Sequence, residues 1–235
     1  MSSASETAYE LLKQRLVAGS YPPGAQLKEE PIARELGLSR TPVRAALKRL
    51  IEDGLATVDA GRGVRVAQWT DADILETYHL RSLLEAHAAQ RAAQRGDPAV
   101  RAELERLNRE MAAAIGKGGA DMVLRLQAIN SRFHRTILDG SGSPRLKLLL
   151  ASIIDMPIVV RSFFVSTRAD LQQSLQHHKD ITAAIASGDG EVAAQAMQLH
   201  LRLAAQRFFQ RRAEFVQAQQ PAGATRPPDS QHLRT

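Results

Sequence analysis

The sequence contains no cysteine and few aromatic residues. Phe, Trp and Tyr make up 4% of its 235 residues, whereas hydrophobic residues as a whole make up 44%. Without cysteine the chain has no disulfide, no thiolate nucleophile and no Cys-ligated zinc or iron–sulfur site, so any metal must be bound by His, Asp, Glu or Asn. A composition rich in aliphatic side chains is typical of helix-on-helix packing, and we expect no all-β fold.

The sequence also lacks a secretion signal and a membrane span. Its first ten residues contain no basic start followed by an apolar stretch. The longest apolar run, Leu148 to Val160, is too short to cross a bilayer and is interrupted by Asp155 and Pro157. We therefore expect a cytoplasmic protein with no membrane partner.

Residues 8–68 show the pattern of three short helices followed by a β-hairpin. Apolar spacing and helix breakers predict helices over 9–17 and 29–36, and a third helix that begins at Ser39 or Thr41 and ends at Gly54. Beyond Gly54, apolar residues alternate on both sides of a Gly61-Arg62-Gly63 turn. This order predicts a winged helix-turn-helix. A helical subdomain with an incidental hairpin is the alternative.

The third predicted helix carries a basic face. The formal net charge of the chain is +6, and Arg40, Arg44 and Lys48 recur every four residues of this helix, opposite its apolar face. An α-helix fits the major groove of B-DNA, where Arg donates two hydrogen bonds to guanine. Ser39 and Thr41 lie at the helix start, which suits phosphate contacts. The pattern predicts binding to double-stranded DNA, and a solvated basic stripe is the alternative.

From residue 71 onward the sequence predicts one helix after another. Gly- and Pro-containing breaks at 96–98, 116–119, 140–144 and 188–190, together with one near Thr167, delimit six helices. We expect a mostly α protein, with an N-terminal winged helix-turn-helix and a C-terminal all-α six-helix antiparallel bundle over 71–213. Residues 1–7 and the Pro- and Gly-rich residues 216–235 are expected to be disordered.

Three histidines lie on apolar faces of three of these helices. They are His134, His178 and His200, and Asn130 lies one turn before His134 on the same side. Burial of an imidazole costs free energy unless its nitrogens are satisfied. Taken singly, each is expected to be a core histidine with a hydrogen-bond partner. Taken together, three inward imidazoles and an amide indicate an internal site for a divalent transition metal.

Several N-terminal segments resemble the winged helix of GntR-type bacterial transcription regulators. This sequence departs from the common pattern at Ala45, where a Glu is usual, and at Glu30-Pro31, where some members carry a phosphate-binding Arg. The resemblance implies that Arg40 and Arg44 read bases, and that the wing tip reaches the minor groove. The matching segments are 19–29, 36–44, 46–50 and 53–55. The DNA-binding set that we expect is Ser39, Arg40, Thr41, Arg44, Lys48, Arg49, Gly61, Arg62 and Gly63.

Three later segments resemble the FCD effector-binding domain of FadR-type GntR regulators, in its six-helix VanR-like branch. The segments are 130–134, 178–189 and 197–200. The resemblance implies a divalent metal, with Zn²⁺ or Ni²⁺ expected, and an effector. Many such domains use Asp where this chain has Asn130, which offers a carbonyl oxygen and no charge. The implied metal ligands are Asn130, His134, His178 and His200.

The resemblance also places Arg81 at a position that points toward the effector. Its guanidinium suits a carboxylate through two parallel hydrogen bonds, so we expect a small organic acid as effector. An ion pair between Arg81 and Glu85, one turn along the same helix, is the alternative.

These patterns together predict a homodimeric transcription regulator, a repressor, that binds an inverted-repeat DNA operator and responds to a small-molecule effector. A metalloenzyme using the three-His site is the alternative function. The sequence shows no His-Glu-x-x-His and no Gly-x-Ser-x-Gly, so we expect no enzyme. A basic architectural protein without sequence preference would account for the charge but not for the inward histidines.

Overall fold

The computed structural model describes residues 4–17, 20–59, 61, 63–119, 121–151, 153–154 and 166–219. Over these ranges the chain forms nine helices and one two-stranded sheet, so the fold is mostly α, as predicted. The elements are α1 (Ala4–Val17), α2 (Glu29–Leu36), α3 (Arg40–Glu52), β1 (Ala56–Asp59), β2 (Gly63–Val66), α4 (Asp71–Arg95), α5 (Pro98–Lys117), α6 (Met122–Gly140), α7 (Pro144–Ala151), α8 (Arg168–Ala186) and α9 (Gly190–Gln219).

Helices α1–α3 and the β1–β2 hairpin form a winged helix-turn-helix, which confirms the sequence-based prediction. The strands are antiparallel, with Ala56 opposite Val66 and Asp59 opposite Gly63. Gly61 and Gly63 have φ of +75° and +84°, a region that L side chains rarely adopt, so the turn favours glycine at both positions. The core of this domain is aliphatic and includes Leu12, Ile32, Val43, Leu47, Leu50 and Leu55.

Both ends of the described chain are more helical than the sequence predicts. Helix α1 begins at Ala4, so residues 4–7, which were expected to be disordered, are helical. Tertiary contacts explain this difference, because Glu6 pairs with Arg49 of α3 at 2.6 Å and Ala8 and Tyr9 are buried. Helix α9 continues to Gln219, and therefore residues 216–219 of the expected disordered tail are also helical. Residues 220–235 lie outside the described residues.

The C-terminal part contains six described helices, α4–α9, and most of the breaks between them lie where the sequence predicts. Helix α7 is the exception, because it ends at Ala151, well before the predicted break near Thr167, and residues 155–165 lie outside the described residues. Short capping motifs separate them. Thr70 and Thr167 begin α4 and α8 with reciprocal hydrogen bonds to Asp73 and Asp170, and Asp97 caps α5 ahead of Pro98. The bundle core is built from aliphatic side chains around one aromatic ring, and includes Ala89, Leu104, Leu107, Phe133, Ile137, Ile181 and Met197.

Helix α4 is the axis of this bundle. It packs along α9 over much of its length and also contacts α6, α7 and α8. Side chains that point inward from α4 are therefore able to reach four other helices. None of the helices that the structure describes is both long enough and apolar enough to cross a membrane.

Candidate functional sites

The basic face predicted for the third helix is present on α3. Ser39, Arg40, Thr41, Arg44 and Lys48 are all exposed, whereas the opposite face of α3 is buried in the domain core. Ser39 is the N-cap residue, and its side chain makes no capping hydrogen bond. Its hydroxyl and the first N–H groups of the helix therefore remain available to an anion.

A carboxylate that the sequence did not mark lies between the two arginines. Glu29, the first residue of α2, accepts hydrogen bonds from Arg44 Nε at 2.7 Å and Arg44 Nη2 at 2.8 Å, and from Arg40 Nη2 at 3.3 Å. The hydrogen bonds from Arg44 lower the pKa of Glu29 to about 2, so its charge persists throughout the physiological pH range. The arginines and Glu29 line a groove between α2, α3 and β2.

The remaining members of the expected DNA-binding set do not all join this face. Arg49 turns toward α1, where it pairs with Glu6 and its guanidinium lies 3.8 Å from the centre of the Tyr9 ring. Its observed contacts are therefore structural, unlike those expected from the basic run. Gly61 and Gly63 are exposed in the wing turn, and Arg62 lies outside the described residues.

The three histidines predicted to share a site come together in the helical bundle. His134 of α6, His178 of α8 and His200 of α9 are each at most 3% exposed. One nitrogen from each ring lies within 4.8 Å of the other two. Metal–nitrogen bonds of about 2.0–2.1 Å around a tetrahedral ion would place these atoms about 3.4 Å apart, so a pair of nitrogens at the full 4.8 Å would have to close by about 1.4 Å to share an ion.

Unpartnered nitrogens distinguish this cluster from an ordinary set of core histidines. Neither nitrogen of His178 has a hydrogen-bond partner among the described residues, and the same holds for Nδ1 of His200. Buried polar atoms are normally satisfied, and three such atoms in one cluster need an explanation. A bound metal ion explains one nitrogen of each ring, because it would accept the single lone pair of a neutral imidazole that no donor reaches. The residues present therefore fit a metal.

Burial also sets the protonation state of the cluster. It lowers the pKa of both His178 and His200 well below 6.5, and the neighbouring histidines lower it further. Both rings are consequently neutral at pH 7, which is the form that ligates a metal.

A buried carboxylate on α4 orients the third histidine. Glu85 is 2% exposed, and its two oxygens lie 2.5 Å from His134 Nδ1 and 2.6 Å from Arg81 Nε. Burial alone would raise the pKa of Glu85, but Arg81 and His134 lower it to about 2. When the Nδ1–H of His134 donates this hydrogen bond to Glu85, the proton stays on Nδ1. The lone pair on Nε2 is then left for the histidine cluster.

A small cavity of about 40 Å³ adjoins the histidines. Arg81, Asn130, His134 and His200 line it, so Arg81 both pairs with Glu85 and borders the cavity. Asn130 is buried beside the histidines, as the sequence predicts. The cavity also contains Arg207 of α9, which the sequence did not indicate because that helix is long and carries several arginines.

Arg207 and a neighbouring ion pair determine the charge of the cavity wall. Burial lowers the pKa of Arg207, which donates a hydrogen bond from Nη1 to Gln173 Oε1 at 3.2 Å. The carboxylate of Asp170 also lines the cavity and is held by Arg211 at 2.9 Å. Because the carboxylates of Glu85 and Asp170 are each paired with an arginine, Arg207 leaves the wall with an excess of positive charge.

Comparison with known proteins assigns both halves of the chain. The family described as "FCD domain" matches residues 76–203, and the family described as "Bacterial regulatory proteins, gntR family" matches residues 4–66. The chain belongs to the GntR family. This GntR protein is a transcription regulator and not an enzyme, which confirms the predicted class and decides against the metalloenzyme. Its FCD domain likewise distinguishes it from a simple architectural protein.

Individual relatives agree with this assignment. The chain is 31% identical over 213 residues to the HTH-type transcriptional regulator YieP of Escherichia coli (strain K12), covering 82% of this chain and 90% of YieP. It is 28% identical to the HTH-type transcriptional repressor GlaR of the same organism, covering 86% of this chain and 94% of GlaR. Among solved structures, E. coli McbR/YncC superimposes with a TM-score of 0.73 at 25% identity, covering 90% of this chain and all of that one.

The neutral state of the buried histidines predicts a stability that depends on pH in the metal-free protein. Because the pKa of His178 and His200 is lower in the folded than in the unfolded chain, the unfolded chain binds protons first as the pH falls below about 6.5. We expect chelator-treated protein to lose about 1 kcal/mol of unfolding free energy per pH unit for each histidine between pH 6.5 and 5. Urea titrations at several pH values measure this loss.

The variant His200→Gln isolates the effect, because it removes one of the two titrating groups. Its stability is expected to decline less steeply with falling pH than that of the wild type, whereas the control His79→Gln, at an exposed position of α4, keeps the wild-type slope. Equal slopes for all three proteins would contradict the assignment of neutral buried rings. Glu85 affects stability over a different pH range from the histidines. Because its pKa is lowered in the folded chain, it stabilises the folded state above about pH 4.5, and this stabilisation is lost as the pH falls toward 2.

Proposed function

We propose that this GntR regulator is a dimeric repressor that binds an inverted-repeat operator, holds a divalent metal in its FCD domain and responds to a carboxylate-bearing metabolite. The observation that carries the proposal is the cluster of three buried histidines with unpartnered nitrogens beside an arginine-lined cavity. Two related proteins are named as repressors, one of them a probable repressor of a D-xylose utilization operon.

The DNA-reading part of the proposal rests on α3. Arg40, Arg44 and Lys48 form an exposed basic row, and Ser39 and Thr41 stand at the helix start. In a major groove this arrangement gives arginine donors to base edges, and hydroxyl and backbone donors to phosphates. The exposed wing turn at Gly61 and Gly63 lies at the end of the hairpin and is short enough to approach a second groove.

The metal part rests on the donor set. His134, His178 and His200 supply three imidazole nitrogens, and Asn130 supplies an amide oxygen from the cavity wall that His134 and His200 also line. Zn²⁺ and Ni²⁺ both accept imidazole ligands, and the absence of thiolates makes no distinction between them. A bound ion supplies a Lewis acid that attracts an anionic oxygen.

The charge of the site indicates an anionic effector. Arg81 neutralises Glu85, and Arg211 neutralises Asp170, so a dication among uncharged ligands leaves the cavity wall positive. Arg207 adds a further cation. A small carboxylic acid would balance this charge and bind the metal through an open position.

The size of the cavity connects effector binding to the rest of the protein. A volume of about 40 Å³ holds an ion with one or two waters, and a metabolite therefore requires the surrounding helices to move. Those helices include α4, which directly follows the winged domain in the chain. By linkage, an effector that favours a bundle conformation poorly suited to the operator weakens DNA binding.

A symmetric dimer would present two copies of α3 to an inverted repeat. An exposed face of α4 supports it, because Leu75, Leu80 and Leu83 on that face are 55%, 38% and 50% exposed. Exposed leucines grouped on one helix face are typical of a surface that is covered in an assembly.

Replacement of the recognition arginine is expected to abolish sequence selectivity. Wild-type protein should enrich an inverted repeat from a pool of random DNA duplexes, and Arg44→Ala should bind that duplex with about tenfold to hundredfold less preference over a scrambled one. Gel shifts at fixed salt measure this ratio. The control Arg101→Ala removes the same charge from an exposed position of α5 and should leave the ratio intact. Unchanged selectivity in Arg44→Ala would contradict the proposal that Arg44 reads the bases of the operator.

The metal site is tested by titration of chelator-stripped, untagged protein with Zn²⁺. We expect one ion per chain, a roughly 100-fold loss of affinity or more in His134→Ala, and a gain of about tenfold in Asn130→Asp, because the added carboxylate places a negative charge at the ion. Calorimetry and elemental analysis measure both quantities. Exposed His79→Ala is the matched control. A wild-type chain that takes up no stoichiometric metal contradicts this part of the proposal.

The dimer is tested at the leucine face of α4. Leu83→Glu places a charge in the proposed interface and should raise the dimer dissociation constant by about tenfold or more, since an unpaired buried carboxylate costs several kcal/mol. Analytical ultracentrifugation of the full chain reports the change. The control Leu148→Glu alters an equally apolar but separate position on α7, which is 79% exposed, and should leave the dimer intact. Dimers of undiminished stability in Leu83→Glu would show that α4 is not the interface.

A further inference from the structure

The carboxylate of Glu29 occupies a defined part of the Arg44 side chain. Its Oε1 accepts from Nε and its Oε2 from Nη2, so the two groups form a bidentate pair along one edge of the guanidinium. Arg40 Nη2 adds a longer contact of 3.3 Å to Oε2. The pair bridges α2 and α3, the two helices of the helix-turn-helix.

The other edge of the Arg44 guanidinium is left for a ligand. A guanidinium has five N–H donors, and the pair with Glu29 uses one on Nε and one on Nη2. Two parallel donors, on Nη1 and Nη2, therefore face away from Glu29. Guanine presents O6 and N7 as two adjacent acceptors in the major groove, which match this free edge. The Arg44 side chain is 67% exposed, against 24% for Glu29, so the free edge is accessible.

The same carboxylate affects how the arginines interact with phosphates. DNA backbone contacts are driven by positive charge, and they carry no sequence information. Glu29 cancels one of the two positive charges of Arg40 and Arg44 and places a negative charge beside them. A phosphate is therefore attracted less strongly to this part of α3 than it would be to two unpaired arginines.

We propose that Glu29 is a positioning residue that makes Arg44 selective for guanine, by fixing the guanidinium with its Nη1–Nη2 edge outward and by weakening its attraction to phosphate. This inference rests on the proposed DNA-reading role of α3. A side chain that is already held in its binding orientation loses less conformational freedom on binding. The pair with Glu29 therefore strengthens binding of Arg44 to an operator with guanine at this position, while it weakens binding to DNA of unrelated sequence. Selectivity at this position then depends on α2 as well as on the recognition helix.

The test compares Glu29→Gln with Glu30→Gln. Both remove one negative charge from the first turn of α2, but the ion pair of Glu30 is with Arg34, at 3.5 Å on the exposed side, and not with an arginine of α3. A glutamine at position 29 keeps one acceptor oxygen and loses the second, so it cannot maintain the bidentate pair. Each protein is measured against the duplex that wild-type protein selects from a random pool and against a scrambled duplex, over a series of salt concentrations.

In Glu29→Gln the ratio of selected to scrambled affinity should fall about tenfold. Binding to the scrambled duplex should become tighter, and its salt dependence steeper by about one unit of log–log slope. Repeating the selection with Glu29→Gln should give a weaker guanine preference at the position that Arg44→Ala also loses. Glu30→Gln should keep the wild-type ratio. Unfolding curves should show every variant fully folded at the temperature of the binding assay, although Glu29→Gln is expected to be somewhat less stable because it loses the pair between α2 and α3.

Two outcomes overturn the inference. An unchanged ratio in Glu29→Gln would show that the pair with Arg44 is merely structural. A variant that binds the selected duplex more tightly, with its selectivity preserved, would show that Glu29 competes with DNA instead of orienting Arg44. A failure of the proposed function would give a different result from either of these outcomes. Wild-type protein would then enrich no sequence from the random pool, and the inference about Glu29 would also be wrong.

Discussion

Glu85 is the group on which the helical domain depends most. Its carboxylate is buried on α4 and contacts Arg81 on the same helix and His134 on α6. A buried guanidinium without a counter-ion would be strongly destabilising, and so would a buried carboxylate. Because each oxygen of Glu85 has a partner, α4 can place a charged side chain at the centre of an aliphatic bundle. The same contact directs Nε2 of His134 toward the other histidines, so bundle packing and the candidate metal site share one interaction.

The two candidate sites follow a similar logic although they lie in different domains. In each, a carboxylate on one helix holds a nitrogen-bearing side chain on another, and leaves the opposite side of that group available. Glu29 of α2 holds Arg44 of α3, and Glu85 of α4 holds His134 of α6. Both pairs join helices that would otherwise contact mainly through apolar side chains. A movement of one helix relative to the other therefore alters the orientation of the functional group directly.

Much of the fold could be predicted from the sequence because its determinants are local. Breaks at glycine and proline, helix caps such as Ser39, and apolar periodicity give the winged domain and most boundaries of the later helices. The shared site of His134, His178 and His200 could also be predicted, since each histidine lies on the apolar stripe of its own helix. Helical periodicity is enough to bring such residues inward.

The pairings between helices could not be predicted in this way. Glu85 and His134 are 49 positions apart, and Glu29 and Arg44 are 15 apart, so helical spacing carries no signal for either contact. Arg49 shows the same limit, because its place in a basic run suggested DNA, whereas its ring and carboxylate partners come from α1. The i,i+4 spacing of Arg81 and Glu85 did indicate an ion pair. Only the tertiary structure shows that this pair also borders the cavity.

The central claim is that the three buried histidines hold one metal ion, and X-ray absorption tests it most directly. The spectrum of full-length protein loaded with one equivalent of Zn²⁺ reports the ligands of the ion itself. The account predicts about three imidazole nitrogens at about 2.0–2.1 Å together with oxygen ligands. It also predicts that the imidazole scattering is reduced in His178→Ala. A spectrum with oxygen ligands alone, or one that His178→Ala leaves unchanged, would contradict the account.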